Sequence, residues 1–200
     1  MLEPRLDPDE IEYFKDFMSK KANGTKMVEW GSGGSTTMFL PYFTSGELIS
    51  IEHNEEWFDK VVNEISTGDY SEDVKQNFVY VLAKPKVDIR FYGYGIPHEE
   101  NPAFAADYIN PVSENFSIWD ADIYFVDGIC RGPILSMIHN MRRNTPMMFD
   151  ATNDTWVSDK PSVFIHDYFG REERAPWYEW ASKMYGSVEQ VGSTLARLHW

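Results

Sequence analysis

Apolar positions in this chain change period from segment to segment. Near the start, Asp7-Pro8-Asp9-Glu10 has capping-box spacing with proline at the first helical position, and Ile11, Phe14, Phe17 and Met18 then share one helical face. Asn23-Gly24 supplies a helix stop. A short apolar run follows, Met27-Val28-Glu29-Trp30, then a glycine-rich turn and a brief helical segment over 35–40 halted by Pro41. The second run, Leu48-Ile49-Ser50-Ile51-Glu52, leads to Asn54 as a helix N-cap, with Trp57, Val61 and Ile65 recurring every four residues. Strand, helix, strand, helix is the pattern of a βαβ unit.

Residues 78–82 read as a third strand, and 84–111, with its scattered Gly, Pro and aromatic residues, as another short strand and a loop over a site. Ile123-Tyr124-Phe125-Val126-Asp127-Gly128 is a buried strand closed by a turn, after which Ile134, Met137, Ile138 and Met141 repeat at helical spacing. Val163-Phe164-Ile165 forms a further strand ending at His166-Asp167, followed by a helix through about Tyr185 and a β-rich segment over 188–200. With no repeat, low-complexity block or long linker, one domain over 1–200 is expected, an N-terminal helix over 1–24 and a core over 25–200. The alternation predicts an α/β sandwich with a largely parallel sheet and ligands at the carboxyl ends of its strands.

Composition narrows the chemistry. The 200 residues carry 18 Lys+Arg against 32 Asp+Glu, a formal charge of −14, with 42% hydrophobic and 16% aromatic residues. That is too much core material for a disordered chain. Such acidity, without a basic run, argues against nucleic acid and anionic membrane as partners. Cys130 stands alone, which excludes an internal disulfide and fits a reducing compartment. Because no stretch reaches membrane-spanning length and the N-terminus is charged, a soluble, cytoplasmic protein is expected.

The strongest chemical signal is Glu29-Trp30-Gly31-Ser32-Gly33-Gly34-Ser35-Thr36, between the first strand and its helix, with Glu52 closing the next strand. Glycines let a backbone approach a ligand, and an acidic side chain one strand away can accept hydrogen bonds from two ribose hydroxyls. NAD and S-adenosylmethionine both ask for this. The dinucleotide fingerprint is incomplete, because Thr36 stands at its last position, and Glu29 suits an ammonium better than a pyrophosphate. An ordinary glycine-rich turn is the bland alternative.

On these residues the chain resembles the class I S-adenosylmethionine-dependent methyltransferases. Val28-Glu29-Trp30-Gly31-Ser32-Gly33 is similar to their first motif, and the segment from Glu52 through Trp57 to their acidic strand end and following helix. Ile118-Trp119-Asp120, Phe125-Val126-Asp127-Gly128, Val163-Phe164-Ile165-His166-Asp167, Val191-Gly192 and Arg197-Leu198-His199-Trp200 follow in the order of motifs in the glucuronoxylan-type polysaccharide O-methyltransferases. Small domains of this kind also resemble glycan-methylating modules of large algal virus proteins. Two positions depart from the polysaccharide family: its acidic pair is Glu52-His53 here, and its Pro/Gly-rich segment is Ile129-Cys130-Arg131-Gly132-Pro133. The resemblance implies a Rossmann-like sandwich with a mostly parallel seven-stranded sheet and helices on both faces. It also implies S-adenosyl-L-methionine as cofactor and a sugar hydroxyl of a glycan as acceptor. Glu29, Gly31, Ser32, Gly33 and Ser35 would surround the methionine part, with Glu52 and His53 beside the ribose.

Methyl transfer to a hydroxyl requires an aligned oxygen and a place for its proton. Asp127, His166 and Asp167 close adjacent strands, and the imidazole is the better general base of the three. Alternatively, Asp127 and Asp167 share a divalent cation, with Asp150 or Asp154 as extra ligands, an arrangement used by some small-molecule O-methyltransferases of this fold. Arg131, Arg171 and Arg174 could hold an anionic group of the acceptor or pair with neighbouring carboxylates. Tyr92, Tyr94, Tyr108, Tyr168, Trp177 and Trp180 could offer flat faces to sugar rings, or belong to the core. A small phenolic or carboxylic acceptor, and a non-catalytic binding module on the same scaffold, are the competing readings.

Overall fold

The computed structural model describes residues 2–21, 23–84, 106–143, 148–150, 155–157, 160–170 and 175–200. Helix α1 (Pro8–Ser19) leads to strand β1 (Lys26–Trp30), helix α2 (Gly34–Phe39) with a 3-10 turn (Leu40–Tyr42), β2 (Glu47–Glu52) and α3 (Glu55–Thr67). Next come α4 (Glu72–Gln76), β3 (Phe78–Leu82), α5 (Ala106–Ile109), β4 (Ile123–Val126) and α6 (Arg131–Arg142). The remainder is β5 (Met148–Asp150), β6 (Thr155–Val157), β7 (Ser162–Ile165), α7 (Ala175–Ser182), β8 (Ser187–Gln190) and β9 (Ala196–His199).

Seven strands form one sheet in the order β3-β2-β1-β4-β7-β9-β8. The first five in that order are parallel, and β9 and β8 close the edge as an antiparallel hairpin. The chain therefore walks outward from β1 through β2 to β3, then returns to the other side of β1 as β4. The reversal between β1 and β4 opens a crevice at their carboxyl ends, where open α/β sheets bind ligands.

Central strands are apolar on both faces because helices cover both. On one face Val28, Trp30, Ile49, Ile51, Val126 and Ile165 pack beneath α6 and α7. On the other Met27, Leu48, Phe125 and Phe164 meet α1, α2 and α3. Phe14 of α1 anchors that second layer, with edge-to-face contacts at 5.1–5.3 Å between ring centres to Phe39, Phe125 and Phe164. At the turn into α3, Asn54 accepts the Trp57 N–H as the expected N-cap.

The expectations differ from the structure in a few places. The short strand and loop expected within 84–111 fall largely on residues 85–105, which lie outside the described residues. The helix after His166-Asp167 is described over Ala175–Ser182 and ends before Tyr185. Helix α4, capped by Ser71, and the separate β5–β6 pair are additional. Each is five residues or fewer, too short for a hydrophobic period to register. No helix among the described residues is long and apolar enough to cross a membrane.

Candidate active site

A cavity of about 450 Å3 opens at the β1/β4 crevice. Its walls bring together Gly31, Ser32, Gly33 and Ser35 of the loop, Glu52 and His53 at the end of β2, and Asp127, His166 and Asp167 at the ends of β4 and β7. Backbone bonds that run one residue past each strand hold these ends level: Gly31 N–H to Ile51 O, Asp127 N–H to Trp30 O, and His166 N–H to Val126 O. Gly31, at φ +90°, and Gly128 pass so closely that a Cβ on Gly31 would lie 2.5 Å from the Gly128 nitrogen. Only glycine combines that backbone with that approach.

Of the predicted cofactor residues, Glu29 alone does not line the cavity. Strand alternation puts it on the Met27 face, beneath α2, where it is 0% exposed. Its carboxyl accepts hydrogen bonds from Ser35 Oγ (2.6 Å), Thr36 Oγ1 (2.7 Å) and Ser50 Oγ (2.8 Å). Burial pushes its pKa up to about 7 despite those donors. Glu29 thus braces the loop from below, in contrast to the expected contact with a ligand's ammonium.

Glu52 faces the cavity with both oxygens in use. Oε2 accepts from the Ser32 N–H and hydroxyl, each at 3.0 Å, and Oε1 from the backbone N–H groups of His53 (2.9 Å) and Asn54 (2.8 Å). Burial alone would raise its pKa, but the His53 side chain and these donors hold it below the ordinary carboxylate value. The Ser32 hydroxyl also meets the Tyr80 hydroxyl, so it has a second partner when a ligand claims Glu52. Trp57, spaced like a core residue in the sequence, donates its indole N–H to Ser32 O, with Arg5 and Lys60 lying 5.4 and 5.3 Å from its ring centre.

The other end is a charge network. His166 Nδ1 lies 2.7 Å from Asp127 Oδ1, and Nε2 lies 3.4 Å from Glu10 Oε2, a buried carboxylate of α1. Burial disfavours the charged imidazole, yet the bond to Asp127 and the charges of Asp127, Asp167 and Glu10 outweigh it and raise its pKa. His166 is only 6% exposed and turns both ring nitrogens toward carboxylates. Its expected role as general base requires one of these nitrogens to leave its carboxylate for the acceptor.

Arg131, 4% exposed, occupies the centre. Nε donates to Gly128 O (2.8 Å), Nη1 to His166 O, and Nη2 to Asp127 O (2.7 Å), with Nη2 also 3.2 Å from both Asp127 Oδ1 and Asp167 Oδ2. It serves the carboxylates of its own chain, not an acceptor's anionic group. Asp127 lines the cavity, and among the described residues its side-chain hydrogen bonds, with His166 and Arg131, fall on Oδ1. Both turns that carry the network enter the left-handed region, Cys130 at φ 56° and Asp167 at φ 55°, and Asp tolerates this better than most residues.

Asp127, His166 and Asp167 offer ligand atoms within 4.8 Å of one another, close enough for a metal ion by distance. The donor set does not suit one, since the Arg131 guanidinium already bridges the two carboxylates. Asp154, Arg171, Arg174, Tyr92 and Tyr94 lie outside the described residues, and Asp150 and Trp177 are placed by backbone alone. Tyr108 is buried against Gly128, Tyr168 bonds Ser182 at 2.9 Å, and Trp180 is 58% exposed on α7.

Sheet order, crevice and glycine loop together define the Rossmann-like class I methyltransferase fold. Solved structures share it. A methyltransferase-like protein of Silicibacter pomeroyi matches over 98% of this chain and 87% of its own at 17% identity and a TM-score of 0.68. A protein of Staphylococcus aureus provisionally assigned as a caffeoyl-CoA O-methyltransferase matches over 99% and 86% at 13% identity and 0.56. A provisionally assigned methyltransferase, yhhF, of Escherichia coli matches over 98% and 86% at 13% identity and 0.52. No family model and no curated protein sequence matches the chain. At these identities the likeness is one of fold.

Proposed function

We propose that this protein is an S-adenosylmethionine-dependent O-methyltransferase. One observation carries the reading: Glu52, the loop 31–35 and Asp127 share a single cavity at the switch point of a methyltransferase fold. The residues fit the cofactor's chemistry. Glu52 offers a carboxylate to ribose hydroxyls once Ser32 turns to Tyr80, and the close passage of Gly31 and Gly128 lets a ligand lie against backbone. Arg5 and Lys60, beside Trp57, are the cations suited to the methionine carboxylate. When bound, S-adenosylmethionine supplies an electrophilic methyl group on a sulfonium.

At the acceptor end Asp127 Oδ2 receives the acceptor's O–H. Once the acceptor oxygen is methylated its proton would be strongly acidic, and Asp127 would take it, so a carboxylate suffices as base. His166 and Arg131 hold Asp127 Oδ1 and thereby aim Oδ2. The ordered motifs shared with polysaccharide O-methyltransferases support a carbohydrate hydroxyl as acceptor, and the acidic chain accords with a mostly uncharged glycan over a nucleic acid.

The test has two parts. Calorimetry with S-adenosylhomocysteine should show saturable binding, and its absence would remove the reading. With donor labelled in the methyl group, label should enter neutral oligosaccharides in an alkali-stable ether. Transfer confined to phenols or carboxylates would move the acceptor to small metabolites.

A further inference from the structure

We infer that Arg131 is the resident cation of the acceptor end, standing where a divalent ion would otherwise bridge Asp127 and Asp167, so that this site works without metal. Three features of the geometry carry this. Arg131 Nη2 lies 3.2 Å from one oxygen of each carboxylate, which is the bridging position itself. Nε and Nη1 donate to the carbonyls of Gly128 and His166, and Nη2 also to that of Asp127, at the ends of two neighbouring strands, so the fold holds the group in place. The third candidate ligand, His166, turns Nδ1 to Asp127 at 2.7 Å and Nε2 toward Glu10 at 3.4 Å. Nδ1 also lies 3.9 Å from Asp167 Oδ1, but its short contact with Asp127 commits it to that carboxylate.

A fixed guanidinium and a hydrated metal ion do different work. A metal would bind the acceptor oxygen directly and lower its pKa. Arg131 has no open coordination position, so it acts through Asp127, in the proposed function as a positioning residue: it fixes Oδ1 and leaves Oδ2 to the acceptor. Arg131 also stands four residues after Asp127 on the turn into α6, so strand end, turn and first helical residue deliver base and cation as one unit.

Manganese is the probe, read by electron paramagnetic resonance on the EDTA-treated full chain with and without S-adenosylhomocysteine. The signal of free Mn2+ should persist undiminished in both cases; stoichiometric uptake would overturn the inference. Arg131→Ala, if it folds, should gain a Mn2+ site that Asp127→Asn then abolishes, whereas a folded Arg131→Ala that takes up no more Mn2+ than the parent also counts against it. Should Arg131→Ala fail to fold, the parent's titration alone decides. In turnover, EDTA should leave the rate of the parent within about twofold, and Arg131→Lys should lower kcat by roughly 10- to 100-fold with KM for the donor nearly unchanged, as for a group acting only in the transition state. Loss of S-adenosylhomocysteine binding would refute the proposed function and leave the Mn2+ result standing on its own.

Discussion

Glu10 Oε2 lies 3.4 Å from His166 Nε2, joining the N-terminal helix to the end of β7 across 156 positions of sequence. The same oxygen accepts the Asp7 N–H at 3.0 Å, and Oε1 accepts the Thr194 N–H and hydroxyl at 2.8 and 2.9 Å. One capping carboxylate therefore serves the helix start, the turn before β9 and the imidazole behind Asp127. Glu10→Gln keeps the shape and removes the charge, so the His166 pKa should fall. Imidazole nitrogen shifts followed through a pH titration would show it, and an unchanged midpoint would mean that Asp127 alone holds the proton.

A second consequence concerns stability. The folded-state pKa of His166 lies above 6.5, so its contribution is full below pH 6.5 and is lost as pH rises through the folded value. Glu29 adds to this: its pKa rises from 4.5 to about 7 on folding, so stability falls as pH climbs between those values and levels off above. The penalty at neutral pH is about 3 kcal/mol on the scale of one pKa unit per 1.4 kcal/mol. Glu29→Gln should therefore gain in melting temperature relative to the parent as pH increases from 4.5 to 7. A difference that stays flat would place an ionised carboxylate beneath the loop already at low pH.

Removing the Glu52 charge should act on cofactor affinity. Glu52→Gln loses charge-assisted acceptors worth about 1.5–3 kcal/mol, so binding of S-adenosylhomocysteine should weaken by roughly 10- to 100-fold. Calorimetry reads this directly, and affinity within twofold of the parent would show that the ribose lies elsewhere.

Asp127→Asn should do the opposite. With the proton acceptor gone, turnover should drop by about 100-fold or more while affinity for S-adenosylhomocysteine stays within roughly threefold. Equal losses in both would mark Asp127 as a strut of the cavity.

Packing at the crevice can be tested without a ligand. A Cβ on Gly128 would fall 1.8 Å from Tyr108 Oη, so Gly128→Ala should cost about 1–3 kcal/mol and lower the melting temperature by roughly 2–4 °C per kcal/mol. Tyr108→Phe, which removes that oxygen, should recover part of the loss in the double variant.

Much of this was readable from local pattern. β3 matches the apolar run 78–82, Asn54 caps α3, and the strand-end residues from Gly31 to Asp167 meet in one cavity because a parallel sheet aligns its carboxyl ends. The misplacement of Glu29 was a matter of parity: a residue two after Met27 shares its face, and Met27 points under α2. Spacing could not reveal the surroundings of His166, because its second partner, Glu10, is distant in sequence and carries a capping signature that already had an explanation. Arg131 sat in view four residues beyond Asp127. Its inward turn depends on carbonyls from two strands, which only the assembled sheet presents.

The chain reversal at β1 and β4 also sets a clock. Gly31 is complete as a ligand surface only when Gly128 lies against it, and Lys26 N–H likewise finds Asp122 Oδ2 across 96 positions. On a ribosome adding about 5–20 residues per second, the loop waits on the order of 5–20 s for its opposing wall to be synthesised. Pairings of such separation are slow to close. Closure of the cavity is therefore a late event in this protein's folding, and a nascent chain that ends before β4 carries the glycine loop without its opposing wall.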